Sequence, residues 1–235
     1  MIVISSSAGD LPGYLAVPDT GRGPGVVVIQ EWWGIVPHVE SVVERLAAEG
    51  FVAIAPDFYR GAATTEPDEA GKLMRGLQIA AVAADLVATA DHLERSGLLD
   101  APRVGAMGFC MGGGLALLAP AVSPHIDAAV AFYPAVPWPD YHPLWANYDG
   151  RAALIHECEA DIPRTGADIE RYAREINGHG GQATVETYPG TAHAFFNDDR
   201  PEVYDAPAAA LSWRRSLDFL HERLDGPFGR GDSAQ

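Results

Sequence analysis

Val104-Gly105-Ala106-Met107-Gly108-Phe109-Cys110-Met111-Gly112-Gly113-Gly114 runs from an unbroken apolar stretch into a cluster of glycines, and Leu115-Ala116-Leu117-Leu118-Ala119 follows directly. The first half reads as a strand covered on both faces, the second as the start of a helix, with the turn at Cys110. Short apolar runs of the same kind recur at Val26 to Ile29, Val52 to Pro56, Ala128 to Phe132 and Ala152 to His156, and Thr184 to Tyr188 reads as a further strand. Between them lie helical periods: Val39, Val42, Val43 and Leu46 before Gly50, then Val82, Leu86, Ala90 and Leu93, then Ile169, Tyr172, Ala173 and Ile176 before Gly178. A last one reads Trp213, Leu217, Leu220, Leu224. Strand-helix alternation of this kind predicts an α/β fold with a mainly parallel sheet flanked by helices on both faces, because parallel neighbours require crossover connections.

The beginning departs from the alternation. Ile2 to Ser5 and Gly13 to Val17 predict an antiparallel strand pair at one edge, turning around Gly9-Asp10-Leu11-Pro12. No linker, repeat or low-complexity stretch interrupts the rest, so one domain over 1–225 is expected, with 226–235 a frayed, Gly-rich tail. Composition excludes several classes. The formal charge of −16 and the lack of a basic run disfavour nucleic acid and anionic membrane surfaces as partners. Neither a leader peptide nor an apolar run long enough to span a bilayer is visible, which makes a cytoplasmic protein the expectation. Two cysteines, Cys110 and Cys158, are too few for a disulfide scaffold and lack metal-ligand spacing. His156-Glu157-Cys158 offers two ligand types, but alternate strand residues more often pack, and no metal or cofactor is expected.

Gly108-Phe109-Cys110-Met111-Gly112 has the G-x-C-x-G form of a nucleophile elbow, with small residues two before and two after the nucleophile, where the turn crowds its neighbours. At a helix N-terminus the Cys110 sulfur would face unpaired N–H groups and the positive end of the dipole, which favours the thiolate. Such a nucleophile needs a base and a group to orient it, in chain order nucleophile, acid, histidine. Asp161 follows the Ala152 to His156 strand, with Glu157 and Glu159 as competitors, and His193 follows the Thr184 to Tyr188 strand. Both fall at the carboxyl ends of parallel strands, where sheets of this type place their sites.

These residues resemble the dienelactone hydrolase family of the α/β-hydrolase fold. Gln30-Glu31-Trp32-Trp33-Gly34 is similar to that family's Q-E-x-x-G segment, Pro56-Asp57-Phe58-Tyr59-Arg60 to its P-D-L-Y stretch, and Gly108 to Gly114 to its cysteine elbow. The resemblance implies a triad of Cys110, His193 and Asp161, with Glu31 helping to generate the thiolate and the backbone N–H groups of Trp32 and Met111 forming an oxyanion hole. It implies a cofactor-free hydrolase of small carboxylic esters or lactones working through an acyl-thioester. Buried beside the elbow, Glu31 would favour its protonated form and so take a thiol proton. The alternative from another class is a noncatalytic α/β-hydrolase scaffold that binds a ligand or partner.

One departure bears on substrate. Two arginines bind the substrate carboxylate in the family's dienelactone-cleaving members, and the corresponding places here hold Asn197 and Pro67. Selectivity for a carboxylate-bearing dienelactone is therefore not expected, unless Arg60, Arg75, Arg164 or Arg200 substitutes. The aromatic segment from Pro137 to Tyr148 either caps the pocket or tucks onto the core.

Overall fold

The computed structural model describes residues 1–161 and 167–225, with the Asp161 side chain outside the description, as are the 226–235 tail and Arg164. Eight strands form one sheet: β1 (Ile2–Ser6), β2 (Gly9–Ala16), β3 (Gly23–Ile29), β4 (Val52–Pro56), β5 (Leu99–Phe109), β6 (Ile126–Phe132), β7 (Ala152–Cys158) and β8 (Gln182–Tyr188). Their spatial order is β1-β2-β4-β3-β5-β6-β7-β8. β1 and β2 join antiparallel, and every pair from β4 to β8 is parallel. The α/β expectation holds, including the antiparallel pair at the N-terminal edge.

The first turn is corrected. It falls at Ser7-Ala8, with Ser6 opposite Gly9, so Gly9 to Pro12 lies within β2 instead of forming the loop. Gly9 supplies the positive φ of 107° that closes this hairpin, and Leu11 then points into the core at 0% exposure.

Among the described residues, six helices cover the sheet: α1 (Pro37–Ala48), α2 (Pro67–Gly76), α3 (Ile79–Arg95), α4 (Met111–Val122), α5 (Ile169–Gly178) and α6 (Ala206–Leu224). Alternation along the strands divides the core in two. Val27, Ile29, Val52 and Ile54 pack with Val82, Leu86 and Leu93 of α3, Leu115 of α4 and Ile176 of α5. Val26, Val28, Ala53 and Ala55 face the other way, against Val39, Val42 and Leu46 of α1 and Leu220 and Leu224 of α6. Each sheet face is thus desolvated by its own helices, as a parallel sheet requires.

The aromatic segment packs onto the core. Tyr141 and Tyr148 donate through their hydroxyls to the Gly114 and Leu117 carbonyls of α4, both at 2.7 Å, and Asn147 donates to the Ala121 carbonyl. Trp138 reaches α2, donating its indole N–H to the Met74 carbonyl at 2.8 Å.

His156 ties β7 to α6 and β8 from inside. Its Nε2 lies 2.9 Å from Ser216 Oγ, which donates onward to the Ser212 carbonyl, so Nε2 carries the proton. Nδ1 then accepts from the Tyr188 hydroxyl at 2.8 Å, and Arg215 donates to that same oxygen.

Candidate active site

The parallel register sets the ends of the central strands side by side: Ile29 pairs with Gly108, Phe109 with Phe132, Phe132 with His156, and Cys158 with Tyr188. The segments that leave these ends carry Glu31, Cys110, Tyr133, Asp161 and His193 in that lateral order. Residues distant in sequence therefore converge on one rim.

Cys110 adopts φ 55° and ψ −118°, a conformation that a residue with a Cβ rarely takes. The surroundings hold it there. Its N–H donates to the Phe132 carbonyl at 3.0 Å, and its own carbonyl accepts from Gly113 and Ala135, both at 2.9 Å. A methyl group on Gly108 would collide with the Gly112 carbonyl, and one on Gly112 with the carbonyls of Ile29 and Gln30. The two glycines are therefore conditions of the turn. Met111 opens α4, where an amide has no partner within the helix.

Glu31 is 2% exposed. Asn197 Nδ2 donates to its Oε2 at 3.1 Å, and the Tyr133 hydroxyl reaches its Oε1 at 3.5 Å. Both donors are uncharged, so the carboxylate is held by hydrogen bonds and not by a salt bridge. Tyr133 itself sits at φ 36° and donates its N–H to the His156 carbonyl at 2.7 Å. Burial first, and then the adjacent Glu31 carboxylate, push its phenol well above the ordinary range, which keeps it a donor. Tyr133 and the Glu31 contact of Asn197 are site features that sequence reasoning missed.

His193 follows β8 in a loop closed by hydrogen bonds from the Thr191 N–H and hydroxyl to the Tyr188 carbonyl and from Asn197 to Ala194, which has φ 69°. Its ring centroid is 4.9 Å from that of Tyr133. His38 of α1, 3% exposed, lies 3.3 Å from Asp198 and braces the same loop. Asp161 ends a short 3-10 turn after β7, and the turn is joined to the His193 loop where Ala160 N–H meets the Thr191 carbonyl. The two competing acids are occupied elsewhere. Glu157 accepts from Thr187, and Glu159 accepts from the Gly190 N–H at 2.7 Å.

Trp32 and Trp33 pack against each other with ring centroids 4.7 Å apart on the loop after β3. That loop is pinned by Gly34, whose φ of 95° and close approach to the Ala62 carbonyl admit no side chain. Two of the candidate cations are engaged with acids. Arg60 makes two bonds from Nη2 to Asp85, at 3.0 and 2.9 Å, and Asp85 is 1% exposed. Arg200 pairs with Glu202, and Arg75 lies exposed at the end of α2.

A mainly parallel sheet with helices on both faces and a strained cysteine at a strand-to-helix elbow define the α/β-hydrolase class. Residues 11–224 match the dienelactone hydrolase family, and the chain belongs to that family and is a hydrolase. Its relatives include Protein usf of Aquifex pyrophilus, 34% identical over 231 residues and covering 95% of this chain and 98% of that protein. A protein assigned as a carboxymethylenebutenolidase in Aquifex aeolicus is 30% identical over the same shares of both chains. Among solved structures, one assigned as a dienelactone hydrolase of Klebsiella pneumoniae superposes with a TM-score of 0.82 at 29% identity, covering 94% of this chain and 96% of that one. A dienelactone hydrolase-like promiscuous phosphotriesterase from metagenomic libraries has a TM-score of 0.79 at 22% identity over 95% and 98%, a likeness of fold. Among the described residues, no single helix is long and apolar enough to cross a membrane.

Proposed function

We propose that this chain hydrolyses small, uncharged carboxylic esters or lactones through a Cys110 acyl-thioester. The observation that carries this reading is the Cys110 backbone, held at φ 55° and ψ −118° between glycines at the mouth of a helix. Such strain is maintained where it aims a side chain.

In this reading Glu31 takes the thiol proton, and the thiolate attacks the acyl carbon. The carbonyl electron pair moves onto oxygen, facing the N–H groups of Trp32 and Met111. Collapse of the tetrahedral adduct expels the alkoxide, which receives a proton from His193, present as imidazolium at the start of the cycle. Water then gives a proton to His193 and attacks the thioester, releasing the carboxylic acid and the Cys110 thiolate. Asp161 orients the imidazole; the engagement of Glu157 and Glu159 with other partners supports it over them. The pairing of Arg60 with Asp85 and of Arg200 with Glu202 supports neutral substrates, since a carboxylate would have to compete with those acids for a cation.

A burst of p-nitrophenol from p-nitrophenyl acetate tests this. It should match the enzyme concentration and vanish after iodoacetamide treatment and in Cys110→Ala. A burst that survives in Cys110→Ala would remove the cysteine from the mechanism. The same protein with no burst at all would point to a binding scaffold.

A further inference from the structure

β4 lies beside β3 on the side of β5 away from β6, β7 and β8. Tyr59, three residues beyond β4, thus approaches the elbow from the flank opposite His193. Its position is set by the turn it sits on. Asp57 N–H donates to the Pro12 carbonyl at 2.8 Å, Tyr59 N–H donates to Asp57 Oδ1 at 3.0 Å, and the next residue, Arg60, is locked to Asp85. From there the half-buried phenol reaches across the end of β3, and its hydroxyl donates to Met111 Sδ at 3.2 Å. A thioether is a weak acceptor, so this proton is held loosely next to the residue that follows the nucleophile.

We propose that Tyr59 is a catalytic residue, a side-chain donor to the oxyanion that joins the Trp32 and Met111 amides. As Cys110 Sγ bonds to the acyl carbon and the carbonyl π pair moves onto oxygen, the Tyr59 O–H turns from Met111 Sδ to that oxygen. The phenol keeps its proton, and the negative charge returns to the C=O bond when the alkoxide leaves. Burial above all, and then nearby Cys110, push the Tyr59 phenol above its ordinary range, in keeping with a donor that never gives up its proton. This arrangement matches a transition-state role: an acceptor that is poor in the resting enzyme is exchanged for a strong one only while charge develops.

The inference rests on Cys110 as nucleophile, and two reactions of that one sulfur separate the two claims. Acylation by p-nitrophenyl acetate builds an oxyanion. Alkylation by iodoacetamide uses the same thiolate by direct displacement and builds none. Tyr59→Phe should slow the acylation burst by about 10- to 100-fold and leave the alkylation rate within about twofold. Unchanged acylation would overturn the proposal, and so would acylation and alkylation falling together, since Tyr59 would then act on the thiol or on packing. Absence of a wild-type burst, with alkylation intact, would instead defeat the reading of function. If Tyr59→Phe melts early, 3-fluorotyrosine at position 59 keeps the ring and sharpens the donor. Acylation at or above the wild-type rate is then expected, and a drop like that expected of the Phe variant would overturn the role.

Discussion

Asn197 donates its side-chain N–H to Glu31 Oε2 at 3.1 Å, across 166 residues of chain, and so joins the loop that carries His193 to the carboxylate beside the elbow. A carboxyl group only 2% exposed needs hydrogen-bond donors in place of the water it has lost. Asn197→Ala leaves the longer Tyr133 contact and should cost about 1–3 kcal/mol of stability in urea unfolding. Iodoacetamide alkylation of Cys110 should change in step with it, as it should in Glu31→Gln. An Asn197→Ala variant with wild-type stability and alkylation would show that Tyr133 alone suffices.

The backbone at Cys110 gives a second expectation. Because φ 55° and ψ −118° penalise any Cβ, Cys110→Gly should be more stable than Cys110→Ala by about 1 kcal/mol, read as a difference in urea midpoint. Both should lose hydrolysis by about 10³-fold or more. Equal stability of the two would mean that the turn relaxes once the sulfur is gone.

The binding preference is open to direct measurement. With Arg60 committed to Asp85 and Arg200 to Glu202, a methyl ester should be turned over with a kcat/KM at least tenfold above that of its free-acid counterpart, about 1.4 kcal/mol. Asn197→Arg should narrow that gap, since it adds a cation beside the site. A wild-type preference for the free acid that collapses in Arg200→Ala would reverse the assignment.

His156 makes the fold sensitive to acid. Burial, and then the Arg215 guanidinium, push its pKa from the ordinary 6.5 down to about 3. Between those values the unfolded chain binds a proton that the folded chain refuses, so stability falls as pH drops through that window and is fully present above it. His156→Gln should flatten this part of the urea-midpoint curve between pH 7 and pH 4 relative to wild type. An unchanged slope would assign the acid limb to carboxylates.

Legibility in the sequence followed the range of the interaction. The elbow could be read because Gly108 and Gly112 act on Cys110 within four residues, and the sheet because each buried strand announces itself as an apolar run. α2 was missed for a physical reason. Pro67 at its start, Asp68 and Glu69 in its first turn and Arg75 in its last are proper end signals, but only Ala70 and Gly71 are buried, so no apolar period accompanies them. The Tyr133 and Asn197 contacts with Glu31 span 102 and 166 residues and leave no local trace. Tyr59 sat within a recognised motif, but its reach to Met111 depends on β4 and β5 flanking β3, which no short stretch encodes.

The collar of glycines around Cys110 divides the chain into parts that tolerate change and parts that do not. The turn is specified wholly by main-chain contacts, so the atom it presents can be exchanged, sulfur for oxygen or for nothing, with the socket intact. A single methyl at position 108 or 112 would jam the socket against neighbouring carbonyls and misplace whatever it holds. Diversification of this scaffold toward new substrates is thereby channelled to the outer loops, such as the Trp32-Trp33 wall and the residues flanking His193.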